Sequence, residues 1–312
     1  MGPGQQVVAF GECMLELQGE AFGTLRQTFG GDTLNTAVYL ARCGRSRGLA
    51  VAYATALGDD DLSQGLLERW QAEGLALGFV RRLPGRLPGL YLIQVDARGE
   101  RRFSYWRDQS AARAYFDAPD TPLEADAGRI GALYLSGISL AILPPAGRER
   151  LFSLIRRLRA QGSRIVYDNN HRPRLWPDAA TARETHARML ALTDIALLTL
   201  DDEQALAGTK DAADTLERTL ALPCPEVVVK RGAAPTRVRS AGQAPVDVPV
   251  VPVDRVVDTT AAGDSFAGAY LAARLSGATP EAAAAAGNRL AARVIQHAGA
   301  LVPPEAMADC VG

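Results

Sequence analysis

Asp258 and Asp264 bracket the stretch DTTAAGD, which carries almost no side-chain bulk. An apolar, strand-like run at 253–257 enters it, and an Ala-rich helical pattern at 264–275 leaves it. The first turn of a helix presents unpaired N–H groups at the positive end of the helix dipole, a ready seat for phosphate. Ala261, Ala262 and Gly263 are small enough to let a ligand reach those groups. An ionised Asp264 beside them would take a proton from an alcohol while the N–H groups hold the charge of a transferring phosphoryl group. The dipole is expected to keep that carboxylate ionised at neutral pH. Helix capping is the competing role for Asp264, because aspartate is a favoured cap.

A second loop-to-helix junction, FGGDTLN, lies at 29–35. Gly30 and Gly31 let backbone press against a ligand, and Asp32 is placed to cap the helix that follows. Asn35 offers both a donor and an acceptor to hydroxyl groups. Neither GxxxxGK[ST] nor GxGxxG occurs, so the P-loop and dinucleotide solutions to phosphate binding are absent.

The elements that must position these groups alternate. Strand patterns at 7–10, 51–57, 164–167, 195–199 and 226–230 are separated by helical patterns at 32–43, 61–73, 149–160 and 179–192. Helices at 264–275 and 280–296 close the chain. That rhythm predicts a doubly wound, mainly parallel α/β sheet with helices on both faces, binding ligands beyond the carboxyl ends of its strands. One stretch breaks it. Alternating runs at 90–95 and 101–106 around DARGE (96–100) read as a β-hairpin. We expect one domain over 1–312, with a small β-sheet lid made by segments at about 13–29 and 88–108.

Composition narrows the partners. With 312 residues, 47% of them hydrophobic, the chain can bury a large core, and a net charge of −1 gives no electrostatic case for nucleic acid or an anionic membrane. No run approaches the roughly 20 apolar residues of a membrane span, and the start lacks a signal-peptide pattern. The four cysteines, Cys13, Cys43, Cys224 and Cys310, are scattered without a CxxC. A reduced, cytoplasmic protein is expected.

DTTAAGD resembles the carboxy-terminal signature of the PfkB (ribokinase-like) carbohydrate kinases, DTxGAGD, with Ala261 in the first glycine slot. FGGDTLN is similar to that family's amino-terminal signature, and the resemblance spans essentially the whole chain. It implies an ATP-dependent kinase with Asp264 as base and an anion hole at Ala261, Ala262 and Gly263. It also implies sugar contacts at Gly30, Gly31, Asp32 and Asn35. The segments GECMLEL (11–17), YLIQVDARGERRFSYWRDQSAA (91–112) and DNNHRPRLW (168–176) are similar to family members that act on 2-keto-3-deoxygluconate. By that resemblance Tyr91, Tyr105, Arg107 and Arg172 contact the keto-sugar acid, Arg107 pairing with its carboxylate. Bidentate arginine suits such a group. Without the resemblance, Tyr91 and Tyr105 read equally well as cross-strand packing partners.

On the nucleotide side the resemblance points to Asn170 and Arg172 near the phosphates, Lys230, Gly232 and Ala233 along phosphates and ribose, and Asn288 beside adenine. It implies magnesium organised through water by Glu203, although Leu200 replaces the asparagine that relatives carry in the Asn-x-x-Glu motif. Glu16 falls near a sugar-binding slot. A homodimer formed through the lid is the expected assembly. Two rival readings stay open: a kinase for fructose, ribose or a nucleoside, and a sugar-acid sensor without catalysis.

Overall fold

The computed structural model describes residues 4–20, 22–95 and 101–310. The first half of the chain contributes strands β1 (Gln6–Phe10), β2 (Met14–Gly19), β3 (Leu25–Gly30), β4 (Val51–Leu57), β5 (Val80–Arg82), β6 (Gly89–Val95) and β7 (Arg101–Trp106). The second half adds β8 (Ile130–Ser136), β9 (Arg164–Asp168), β10 (Ile195–Thr199), β11 (Glu226–Arg231), β12 (Ala234–Ser240) and β13 (Val246–Val248). Nine of these form one sheet in the order β13-β12-β11-β10-β9-β8-β1-β4-β5. It is parallel from β5 to β11, and only the β11–β12 and β12–β13 pairings at one edge are antiparallel.

Buried parallel strands lose the polar alternation of half-exposed ones, and β1 shows what replaces it. Val7 and Ala9 enter one apolar core, while Val8 and Phe10 enter the other, on the opposite face of the sheet. Full burial of side chains such as Val8 and Phe10 contributes roughly 1.5–3 kcal/mol each. Helices α1 (Asp32–Gly44) and α2 (Asp61–Ala72) cover the first face. Short α3 (Pro122–Ala125) and α4 (Gly137–Ile142) precede α5 (Pro145–Ala160) and α6 (Ala179–Leu190), which cover the second. Then α7 (Leu200–Ala207) and α8 (Ala212–Leu220) flank β11, and α9 (Ala262–Leu275) and α10 (Pro280–Val294) return to the first face. The doubly wound α/β reading holds.

The hairpin forms as β6 and β7, whose turn at 96–100 lies outside the described residues. Strands β2 and β3 join it in a separate four-stranded sheet, β3-β2-β6-β7. The sequence reading passes over several elements, β5, β8, β12, β13, α7 and α8 among them, and misreads one. Ile130–Ser136, which that reading passes over, is the fully buried strand beside β1. The run at 253–257 is not a strand: Val256 and Val257 are exposed, and the N–H groups of Val257 and Asp258 donate to Ile295 O beyond α10. Valine-rich composition is only a preference for strand, and here the backbone pairs with the end of α10 instead.

Candidate active site

Helices α1 and α9 pack against each other on the first face of the sheet, and glycine controls how closely. A Cβ on Gly268 of α9 would lie 2.6 Å from Tyr39 Cβ and 3.0 Å from Thr36 O of α1. Its absence lets the two backbones touch. Asn35 Nδ2 then donates to Asp264 Oδ2 at 2.8 Å, and Thr36 Oγ1 donates to Asp264 O at 3.3 Å. The start of α1 is equally tight: a Cβ on Gly31 would fall 2.2 Å from Glu12 O.

Asp264 is not a cap. Helix α9 begins at Ala262 with Ala261 in the N-cap position, and no side chain satisfies its first turn. Asp258 instead shapes the approach, accepting from Thr260 N (2.9 Å) and Thr260 Oγ1 (2.6 Å) and from Gly299 N (3.0 Å). Among the described residues the N–H groups of Ala261, Gly263 and Asp264 have no protein acceptor. Ala262, expected to offer its own, donates it to Thr259 O at 3.2 Å. Ala261 adopts φ 60°, ψ 17°, the left-handed region that glycine enters without penalty. The glycine slot of the signature therefore has a conformational reason, and alanine here costs about 1 kcal/mol.

The charge state of Asp264 also differs from expectation. Burial is the main cause of a pKa pushed up to about 7, with the charges of Asp32 and Asp168 adding to it and the Asn35 hydrogen bond opposing. Near neutrality the carboxyl group of the free protein is divided between acid and base. The helix dipole does not prevail. Asp32, expected as the cap of α1, is its first residue; Gly31 holds the N-cap position, and Asp32 Oδ2 accepts from Asn170 Nδ2 at 2.6 Å. Asn170 itself carries φ 22°, in a turn held by Asp168 Oδ1 and Asn169 Oδ1.

Lys230 Nζ pairs with Asp168 Oδ2 at 2.7 Å and reaches the start of α9, lying 3.4 Å from where a Gly263 Cβ would stand. Asp168 was not singled out by the sequence reading, nor was Asn169. Asn169 Nδ2 donates to Glu203 Oε1 at 2.9 Å and to Thr199 O at 2.9 Å. Glu203 thus meets an amide from the neighbouring strand end, whereas Leu200 is buried in the core. Desolvation raises the pKa values of Asp168, Asp202 and Glu203 alike. Arg172 Nη1 donates to His171 O (2.8 Å) and Asp202 Oδ1 (3.2 Å).

On the small sheet, Tyr91 and Tyr105 face each other across β6 and β7 and stack, with ring centroids 5.8 Å apart. Tyr91 also donates its hydroxyl to Glu16 Oε2. Arg107 is buried and forms an ion pair with buried Glu12, donating from Nε at 2.9 Å and also from Nη2. That partner, 95 residues away, went unseen in the sequence, and it neutralises the charge expected to meet a substrate carboxylate. Gly232 and Ala233 form the exposed turn between β11 and β12. Asn288 is buried rather than exposed. It accepts from Thr236 Oγ1 (2.8 Å) and donates to Val248 O (3.3 Å) and Pro249 O (2.9 Å), so its polar groups pin the sheet edge.

A helix start left open to an anion, with an aspartate held beside it, on a parallel α/β sheet, is the layout of a phosphoryl-transfer site. The chain belongs to the pfkB family carbohydrate kinases, whose profile matches residues 5–307. It is 47% identical over 306 residues to the 2-dehydro-3-deoxygluconokinase of Escherichia coli (strain K12), covering 97% of this chain and 99% of that protein. Among solved structures it is similar to the aminoimidazole riboside kinase of Salmonella enterica complexed with aminoimidazole riboside and an ATP analog (TM-score 0.80, 25% identity, 98% of this chain and 99% of that one). The fructokinase of Xylella fastidiosa with bound ATP shares the fold (TM-score 0.81, 23% identity, 98% of each chain). No helix among the described residues is long and apolar enough to cross a membrane.

Proposed function

We propose that this protein is an ATP-dependent kinase that phosphorylates 2-keto-3-deoxygluconate on its 6-hydroxyl. The observation that carries the mechanism is the carboxylate of Asp264, held by Asn35 beside N–H groups with no other acceptor. In this reading Asp264 accepts the proton of the 6-hydroxyl. The N–H groups of Ala261, Gly263 and Asp264, with Lys230 nearby, hold the charge of the moving phosphoryl group. Gly30, Gly31, Asp32 and Asn35 bound the acceptor, with Tyr91, Tyr105 and Arg172 on its other sides. Asn170, Arg172, Lys230, Gly232 and Ala233 follow the nucleotide, and Asn288 acts as a wall of the base pocket.

Among the described residues no cluster of three or more His, Cys, Asp or Glu side chains forms a protein-only metal cage. The desolvated carboxylates of Asp168, Asp202 and Glu203 still fit a magnesium ion held mainly by phosphate oxygens and water. Bound there, magnesium would neutralise phosphate charge. The same reading makes the four-stranded sheet a lid and the contact between two copies. Exposed Leu25, Phe103 and Trp106 on that sheet support it. Trp106→Glu is expected to lower the mass seen by light scattering from dimer to monomer; an unchanged mass removes the proposal.

The main test offers the protein ATP with 2-keto-3-deoxygluconate, its galactonate-derived counterpart, fructose, ribose and a nucleoside, then locates the phosphorylated carbon. Turnover is expected with the keto-deoxy acid at carbon 6. Preference for a neutral sugar would transfer the assignment to another carbohydrate kinase.

A further inference from the structure

A lysine does not aim itself. Its ammonium rides on a flexible four-carbon stem and can turn three donors in many directions. Lys230 is nevertheless fixed at the open start of α9, and the sheet explains how. In β9, Val166 belongs to the core on the first face, so Asp168, two residues on, leaves the strand end on that same face. In β11 the same count from Val228 puts Lys230 there too. Strand β10 lies between them, with Leu197 opposite both Asp168 and Val228. Lys230 reaches over β10 and sets its Nζ 2.7 Å from Asp168 Oδ2.

Asp168 is itself held. It is buried, and its Oδ1 accepts from Asn170 N at 3.1 Å. Burial raises its pKa and Lys230 lowers it again, so the cation keeps the carboxylate charged. One carboxylate oxygen is thus tied to backbone and the other to the ammonium. A single acceptor takes one of the three Lys230 donors and leaves two for phosphate oxygens. The ammonium stands 3.4 Å from where a Gly263 Cβ would be, beside first-turn N–H groups that have no protein acceptor among the described residues.

We infer that Asp168 is a positioning residue for phosphoryl transfer, acting through Lys230, which it aims at the moving phosphoryl group; this rests on the kinase reading above, whichever sugar is the acceptor. Asp168→Asn keeps the shape and the Oδ1 acceptor but removes the charge that holds the ammonium. The test measures kcat, KM for ATP and the magnesium requirement in wild type, Asp168→Asn, Lys230→Met and the double variant, with melting curves to confirm that each folds. In Asp168→Asn, kcat is expected to fall roughly 10- to 100-fold, the range of a lost charge-assisted hydrogen bond. KM for ATP should not rise, because an ammonium released from its carboxylate still attracts phosphate. Lys230→Met should lose more, and the double variant should be no worse than Lys230→Met, since Asp168 then has nothing to aim. That last comparison decides the matter even if Asp168→Asn alone does not fold.

Losses that add in the double variant, or a higher KM for ATP with kcat unchanged, overturn the inference. So does a magnesium requirement raised about 10-fold or more, the mark of a residue that serves the metal instead. A wild type that phosphorylates no acceptor sinks the kinase reading and this inference together. A wild type that phosphorylates any of them, with additive losses in the variants, sinks this inference alone.

Discussion

Two helix starts at the site are built differently from four of those elsewhere, although α5 and α7 also begin without a side-chain cap. Helices α2, α6, α8 and α10 each begin with a side chain accepting a first-turn N–H: Asp60, Asp178, Asp211 and Thr279. Helices α1 and α9 begin on Gly31 and Ala261 with no side-chain cap. Asp264 is in the first turn of α9 and within reach of the role, yet its carboxylate is turned to Asn35. Capped starts contribute to stability, whereas the open start of α9 leaves its donors for a ligand. The difference marks where the molecule accepts a local cost in exchange for chemistry.

The sharpest way to break this comparison is Asp264→Asn. Turnover is expected to fall by roughly 10²- to 10⁴-fold, the usual weight of a general base. The same substitution should stabilise the fold at pH 8. A carboxylate whose folded pKa stands near 7, above its ordinary value of 3.8, opposes folding over the interval between those values and fully above it. Melting curves at pH 8 and pH 4 would check this: a rise of a few degrees is expected at the higher pH and little change at the lower. If Asp264→Asn instead lowers stability at pH 8, the residue is part of the scaffold.

The next effect is on pH. The base form of Asp264 is lost as pH falls through about 7, so kcat/KM in the unliganded-state regime should drop about tenfold per unit below that point. A profile flat down to pH 5 would assign the proton to another group. Smaller still is Asp60→Ala, which removes a true cap. It should cost about 1 kcal/mol in denaturant unfolding and leave kcat unchanged. Smallest is Ala261→Gly. Relief of the left-handed conformation should stabilise by under about 1 kcal/mol, offset by the freer unfolded chain. Destabilisation by this change would mean that Ala261 is not strained.

Much of this design was legible in the sequence. Parallel strands such as Ile195–Thr199 announce themselves by apolar runs between helical patterns, and the open start of α9 follows from small residues around Asp264. What stayed hidden depends on partners distant along the chain. Lys230 and Asp168 are 62 residues apart, and Arg107 and Glu12 are 95 apart, so neither pairing shows in a local pattern. The expected ionisation of Asp264 failed for the same reason. The dipole is local and visible in the sequence, but the burial of the carboxyl, and its crowding by Asp32 and Asp168, come from other elements. The false strand at 253–257 is the converse case, a favourable local composition with no neighbour to complete it.

The half-filled proton site on Asp264 carries one more consequence. Asp32 and Asp168 already raise the carboxyl's proton affinity, so the further negative charge that a nucleotide's phosphates bring close should draw a fraction of a proton onto it. Nucleotide association near pH 7 would then exchange a fraction of a proton with the medium, and its apparent heat would vary with the ionisation enthalpy of the buffer. The affinity of the resting protein for nucleotide would accordingly weaken with rising pH before any acceptor arrives.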